Sequence, residues 1–340
     1  MEAIPVHRGA VTDCRRLLAA VVCAISFSTA VASDPLPSWN DGTIKQRIVD
    51  FVASVSSKES RWHVPVAERI ATFDNDGTLW SEYPIYFPVQ FAVDLTSRLV
   101  VKHPELRTRQ PFQAALENDL KSLTNIDGPD LLTLISKTHG DMTVREFRSQ
   151  VSRWLSVARH PRFDRPYTDL VFQPMLELLD YLRANKFKIY IVSGGDIEFM
   201  RVWATRIYGV PPEQIIGSRL KTRLVKRDGK PALLRLPEFE FFNNAEGKPI
   251  SIRKFIGRRP IAAFGNSDGD LQMLQWATAT DGKRLALIVR HTDRKREWSY
   301  DRKANIGHLD KALDEAARKK WLVVDMKRDW KVVYPFQSKR

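Results

Sequence analysis

The run Ile70-Ala71-Thr72-Phe73-Asp74-Asn75-Asp76-Gly77-Thr78 constrains this chain more than any other stretch. Apolar and β-branched residues lead into two carboxylates one residue apart, and Gly and Thr follow at once. That is the pattern of a buried parallel strand delivering acidic side chains at its C-terminal end. In open α/β sheets, ligands bind outside that end. Alternate strand residues share a face, so Asp74 and Asp76 stand together if the extended run continues. Gly77 lets the backbone turn there. Two carboxylates at short range raise each other's pKa unless a cation lies between them. A hard divalent ion such as Mg²⁺ resolves the repulsion and leaves room for phosphate oxygens. For this stretch alone, an acidic turn held by Asx hydrogen bonds is the simpler alternative.

The rest of the chain alternates strands with helices, with one interruption. A first helix is expected up to Val55, with Asp41 as its N-cap and Ile44, Ile48, Phe51, Val52 and Val55 on one face. Residues 82–167 then hold helical stretches near 87–102, 111–123, 129–137 and 143–158, with Thr143 and Glu146 as a capping box. This predicts an inserted helical cap over residues 82–167, placed on an α/β core of residues 34–81 and 168–340. Strands are expected near 187–192, 214–218, 261–264 and 284–289, with short β pieces over 221–242, 321–325 and 330–334. The fold expected is a three-layer, Rossmann-like parallel sheet with helices on both faces.

Residues 1–33 stand apart. Arg8, Arg15 and Arg16 precede an apolar run from Leu17 to Phe27, and Ala30-Val31-Ala32 gives a small-x-small cleavage pattern. This reads as a secretory signal peptide and predicts a periplasmic or secreted protein. A retained N-terminal anchor is the alternative, although the run is short for a span. Cys14 and Cys23, the only cysteines, both lie in this segment, so the mature chain has no disulfide and no thiolate ligand. No later run is apolar and long enough to span a bilayer.

The net charge of +14 suits nucleic acid, an anionic surface or anionic small substrates. The basic residues are scattered, and no ribonucleoprotein pattern, zinc finger or helix-turn-helix signature is present, so no nucleic-acid partner is expected. The seven histidines show no metal-binding spacing. His103, His139 and His160 are expected at the surface or at helix ends. Trp80, Tyr83, Tyr86 and Phe87 are expected to pack core and cap, with a place at the substrate mouth as the alternative.

Four polar clusters fall at strand ends or helix starts: Asp74-Asn75-Asp76-Gly77-Thr78, Ser193-Gly194-Gly195, Lys248, and Gly265-Asn266-Ser267-Asp268-Gly269-Asp270. Taken singly, Ser193 could cap a helix, Lys248 could lie at the surface, and Asp268 and Asp270 could be turn residues. A parallel sheet gathers such ends at one edge. Together they supply what phosphoryl transfer needs: a carboxylate nucleophile, a second acid, hydroxyl and amide donors, and a cation.

In this order the clusters resemble the haloacid dehalogenase-like hydrolase superfamily, in its phosphoserine-phosphatase-like branch, over about residues 69–289. The resemblance implies that Asp74 is the nucleophile and a Mg²⁺ ligand. It implies that Asp76 is general acid, then base, and that its main-chain carbonyl touches the metal. Ser193 and the Gly194 amide would hold phosphate oxygens, and Lys248 would offset charge between Asp74 and phosphate. Asp270 matches the last acid of the fourth motif, on the metal side. Asn266 stands where many relatives carry a metal-binding aspartate; its amide oxygen brings no charge, and Asp268 is the alternative ligand. The function implied is Mg²⁺-dependent hydrolysis of a small phosphomonoester through an aspartyl-phosphate. A phosphotransferase on the same fold and a non-catalytic periplasmic polyanion-binding protein are the competing readings.

Overall fold

The computed structural model describes residues 1–3, 5, 34–125 and 128–337. The expected signal segment, with Cys14 and Cys23, lies outside the described residues except for residues 1–3 and 5. Residues 35–340 group into one unit, apart from residues 1–34. No described helix is long and apolar enough to cross a membrane.

The strands are β1 (Ile70–Phe73), β2 (Met142–Thr143), β3 (Lys188–Asp196), β4 (Ile215–Arg227), β5 (Lys230–Phe241), β6 (Ala262–Gly265), β7 (Leu285–Thr292), β8 (Ser299–Tyr300) and β9 (Leu322–Asp325). They form one sheet in the order β2-β5-β4-β3-β1-β6-β7-β8, with β9 also paired to β7. The pairings β4-β3-β1-β6-β7-β9 are all parallel. β1 sits in the middle. Chain order runs one way from it through β3 and the other way through β6, and that reversal opens a crevice at the strand ends.

The helices are α1 (Thr43–Ser56), α2 (Phe87–Lys102), α3 (Phe112–Leu116), α4 (Leu120–Thr124), α5 (Gly128–His139), α6 (Val144–Val157), α7 (Gln173–Ala184), α8 (Ile197–Arg201), α9 (Ala204–Tyr208), α10 (Gly247–Ile256), α11 (Leu271–Thr278), α12 (Lys311–Lys319) and α13 (Met326–Asp329). Alternate strand residues feed two cores, as period two requires. Ala71, Phe73, Ile189, Ile191, Phe264 and Leu287 pack with α1 and α7. Ile70, Tyr190, Val192, Ala263 and Ile288 pack with α10, α11 and α12. The result is three layers, helices on both faces of a mostly parallel sheet. A smaller core of Ile85, Val89, Val93, Phe112, Leu123 and Leu134 lies among α2 to α5.

Some local readings differ from the structure. The β pieces after residue 214 are one long hairpin, because β4 runs on from the parallel sheet and folds back through a turn with Asp228 and Gly229 at positive φ. α1 starts at Thr43 after Gly42, and Asp41 pairs with Lys45 at 2.8 Å instead of capping. Residues 330–334 form only an isolated bridge from Trp330 to Trp39. His139 and His160 are fully buried. His139 does end α5, but hydrophobic neighbours cover it: the Phe147 ring is 4.9 Å away and the Phe91 ring 5.4 Å.

The helical insertion is tied to the sheet through β5. Met142 and Thr143 pair with Arg235 and Leu234. Arg235 is 1% exposed; its Nε donates to the His139 carbonyl at 3.0 Å, its guanidinium lies 4.0 Å over the Phe147 ring, and it pairs with Asp196. Asp196 also caps α8 by accepting from the Glu198 N–H at 2.8 Å. Burial works against ionising Asp196, but Arg235 and His139 hold it below the usual carboxylate range. Replacing Arg235 by Ala strands a buried charge, so the variant is expected to lose about 3–5 kcal/mol of stability. Urea unfolding followed by circular dichroism checks this, and a loss under about 1 kcal/mol would contradict it.

Candidate active site

The site begins where β1 ends. The Asp74 N–H donates to the Phe264 carbonyl at 2.9 Å, so pairing with β6 holds the first acid in line. The chain then turns: the Asn75 carbonyl accepts from the N–H groups of Thr78 at 3.1 Å and Leu79 at 2.8 Å. Gly77 has φ of 73°, and a Cβ there would run into the side chains of Asn266 and Glu82. Glycine is required on both counts. The turn aims Asp76 at Trp80, whose Nε1 donates to Oδ1 at 2.7 Å. Trp80 is itself fixed by burial and by stacking on Trp203 at 4.2 Å.

Lys248 enters from the first turn of α10. Its Nζ donates to Asp74 Oδ1 and to Asp270 Oδ1, each at 2.5 Å, and all three side chains are buried. The second oxygen of Asp270 accepts from the N–H groups of Asn266 at 2.9 Å and Ser267 at 3.0 Å. Asp270 therefore fixes the loop after β6 and one side of the ammonium together. The four clusters read from the sequence do converge at one sheet edge.

Within those clusters the roles are uneven. Gly194 and Gly195 line the cavity beside Asp74, Asp76 and Lys248. Ser193 is fully buried, and its Oγ accepts from the Gly195 N–H at 3.0 Å. Asp268, the alternative ligand, turns away: its carboxylate accepts from the N–H groups of Asp310 and Ala312, both at 2.9 Å, and caps α12. Asn266 accepts from Thr78 Oγ1 at 3.0 Å and donates through Nδ2 to Glu82 Oε1 at 2.8 Å.

Glu82, His291 and Glu297 were not singled out from sequence. Glu82 is 1% exposed and lines the same cavity as Asp74 and Asp76. His291 lies near the end of β7; its Nε2 faces the Gly77 carbonyl at 2.8 Å and its Nδ1 faces Glu297 at 3.0 Å. Both neighbours can accept from the ring, an arrangement that favours the doubly protonated imidazole. Burial opposes that charge, but Glu297 raises the His291 pKa. The one signal for His291 was its place at the C-terminal edge of a parallel strand.

The electrostatics follow from burial. Burial and Asp270 push the Asp74 carboxyl upward against the pull of Lys248. Burial pushes Asp76 to about 6, against the Trp80 hydrogen bond. Burial pushes Glu82 to about 8, against His291. Burial disfavours the Lys248 charge, yet Asp270 and Asp74 outweigh it and keep Lys248 protonated. Asp74, Asp76 and Asp270 thus share one ammonium, and His291 bears on Glu82 from outside that group. Among the described residues no three acidic, histidine or cysteine side chains converge as a ready-made metal cage. The donors present are nonetheless oxygens with surplus negative charge, which fits a hard dication completed by main-chain oxygen, phosphate and water.

A family model for haloacid dehalogenase-like hydrolases matches residues 71–275, and the chain belongs to that family. No curated protein sequence matches it significantly. Similar solved structures include a functionally unknown protein from Anaerococcus prevotii, 19% identical, with 82% of this chain and 90% of that chain covered and a TM-score of 0.46. Another, from Bordetella pertussis, is 16% identical, with 76% and 99% covered and a TM-score of 0.49. A phosphoserine phosphohydrolase-like protein from Francisella tularensis is 16% identical, with 74% and 99% covered and a TM-score of 0.37.

Replacing Lys248 by Met leaves Asp74 and Asp270 facing each other in a buried site. The expected loss of stability is up to about 3–5 kcal/mol. The sign with pH follows from Asp74. A carboxyl whose folded pKa lies above its unfolded value costs stability at high pH, and the cost fades as it protonates. The deficit should therefore shrink as the pH falls. Denaturant midpoints of wild type and Lys248→Met across pH check this; a deficit that grows on acidification would refute it.

Proposed function

We propose that the protein is an exported, Mg²⁺-dependent phosphomonoester hydrolase that works through an aspartyl-phosphate on Asp74. A carboxylate oxygen of Asp74 attacks phosphorus in line with the leaving oxygen. Asp76 gives its proton to that oxygen as the P–O bond breaks. Asp76 then takes a proton from water as the water oxygen attacks the aspartyl-phosphate, which returns Asp74 and releases phosphate. Lys248 pulls Asp74 toward its anionic form against burial and screens it from the incoming phosphate. The Gly194 amide at the cavity wall is the donor for phosphate oxygens, with Ser193 beneath it tied to the Gly195 N–H. When bound, Mg²⁺ supplies charge neutralisation at phosphate. Asp74 and the Asp76 carbonyl would hold it, with Asn266 and Asp270 on the facing loop.

The observation that carries the reading is the Asp76 carboxyl. It is held on Trp80 beside Asp74, and burial brings its pKa to about 6. A carboxyl so poised both gives and takes a proton near neutral pH. Export rests on the signal pattern in residues 1–33.

The cavity walls also bear on the leaving group. Tyr86 and Val89 from the insertion, Leu131, Leu132 and Ile135 from α5, and Phe239 from the hairpin surround it. Among the described residues lining it, Lys248 alone is a lysine or arginine. A second phosphate or a carboxylate on the substrate would find no counter-charge there. The substrate class proposed is a small monoester with an uncharged, apolar leaving group.

Asp74→Asn is expected to abolish phosphate release from an aryl phosphate without unfolding the protein. Asp76→Asn should slow turnover by about 10²–10⁴-fold. EDTA should stop the reaction and added Mg²⁺ restore it. Retained activity in Asp74→Asn would exclude the mechanism, and full turnover in EDTA would exclude the metal. An aryl phosphate should exceed phosphoserine in kcat/KM; the reverse order would overturn the substrate class alone.

A further inference from the structure

Glu82 has no role in the steps above, yet it is the most deeply placed acid without a cationic hydrogen-bond partner at this site. It follows the first acidic turn by a few residues, is 1% exposed, and lines the cavity with Asp74, Asp76 and Lys248. Its Oε1 accepts from Asn266 Nδ2 and from Tyr300 Oη, both at 2.8 Å. Both donors are neutral. Its Oε2 hydrogen-bonds to no described residue. The backbone presses on the carboxylate from two sides, since a Cβ on Gly77 or on Gly307 would collide with Oε1. Gly307 has φ of 62°, so the left-handed turn there and the lack of a side chain both serve that close approach.

Such a carboxylate is costly to bury. Two neutral hydrogen bonds compensate only part of the desolvation of an anion; His291 offsets more of it without a hydrogen bond to Glu82, and Asp76 and Asp74 add repulsion. His291 is committed to Glu297 and the Gly77 carbonyl, so the position fits a group completed by a further cation in the cavity. Asn266 bears on the same point. Its amide is oriented by Thr78 Oγ1 on the oxygen and by Glu82 on the nitrogen, so it grips Glu82 rather than adding charge of its own.

We infer that Glu82 belongs to the divalent-cation site: it supplies the negative charge that Asn266 lacks, and Asn266 and Tyr300 act as positioning residues for it. The inference rests on the metal-dependent reading of the site, and it places the site's charge on the loop after β1 instead of the loop after β6.

The test is metal binding to the purified, substrate-free protein, measured by titration calorimetry with Mg²⁺ and by Mn²⁺ spin resonance. Glu82→Gln keeps the side-chain volume and the acceptor for Asn266 and Tyr300. It should weaken binding by about tenfold or more, the range seen when groups around a metal lose their partners. Its thermal midpoint without metal should not fall, because a neutral amide of the same size replaces a carboxyl that burial disfavours. Moving the charge, in Glu82→Gln with Asn266→Asp, should restore most of the affinity. If Glu82→Gln does not fold, Tyr300→Phe removes one donor and should weaken Mg²⁺ binding severalfold while leaving the fold intact. Wild-type affinity in Glu82→Gln, or in Tyr300→Phe where that variant stands in, overturns the inference and leaves the phosphatase reading in place. Absence of Mg²⁺ and Mn²⁺ binding in the wild type overturns both.

Discussion

The site depends on one ammonium held between two buried carboxylates. Lys248 touches Asp74 on the loop after β1 and Asp270 on the loop after β6, and so ties together elements nearly two hundred residues apart in sequence. The arrangement is stable only as a set. Each charge taken singly would be expensive to remove from water, and the mutual attraction offsets that cost only while all three are in place. Asp270 has a further duty, since its other oxygen collects the N–H groups of Asn266 and Ser267 and shapes the loop that faces Asp74.

Around that centre the charge is deliberately unbalanced. Asp76 and Glu82 add to the acidic side, and the other nearby cation, His291, is paired with Glu297 and used to hold the Gly77 carbonyl. A protein interior leaves such an excess only where protons or a metal fill it. Burial lifts Asp76 and Glu82 far enough for proton exchange near neutral pH. The raised carboxyls and the charge excess share one physical cause, a low-dielectric pocket with too few cations of its own.

The upper wall is built differently. α2, α5 and the β4–β5 hairpin present apolar side chains, and Arg235 anchors α5 and α6 to the hairpin from behind. The separation is sharp: the acidic groups and Lys248 gather at the strand ends, and hydrophobic side chains line the opposite wall of the cavity. It follows from the topology, because the strand ends belong to the sheet while the wall belongs largely to the insertion between β1 and β3.

Local pattern carried much of this. The apolar run into Asp74, the Gly after Asp76, the capping box at Thr143 and Glu146, and the strand–helix alternation each reflect interactions between residues close in sequence, so a parallel sheet with acidic and glycine-rich strand ends was legible, as was the family. The position of Lys248 came from its order in the series alone, since nothing near it in sequence marks a buried lysine. Tertiary contacts decided the rest. Glu82, His291 and Arg235 look like ordinary polar residues of loops and strands, and only the packing of distant segments removes water from them. Asp268 and Asp270 are two residues apart in one acidic loop, yet one caps α12 and the other grips Lys248. Sequence determined which chemical groups stand at strand ends, because periodicity and turn residues act over a few positions. Which of those groups are buried together, and with what balance of charge, was settled by folding, because desolvation and ion pairing act through space and not along the chain.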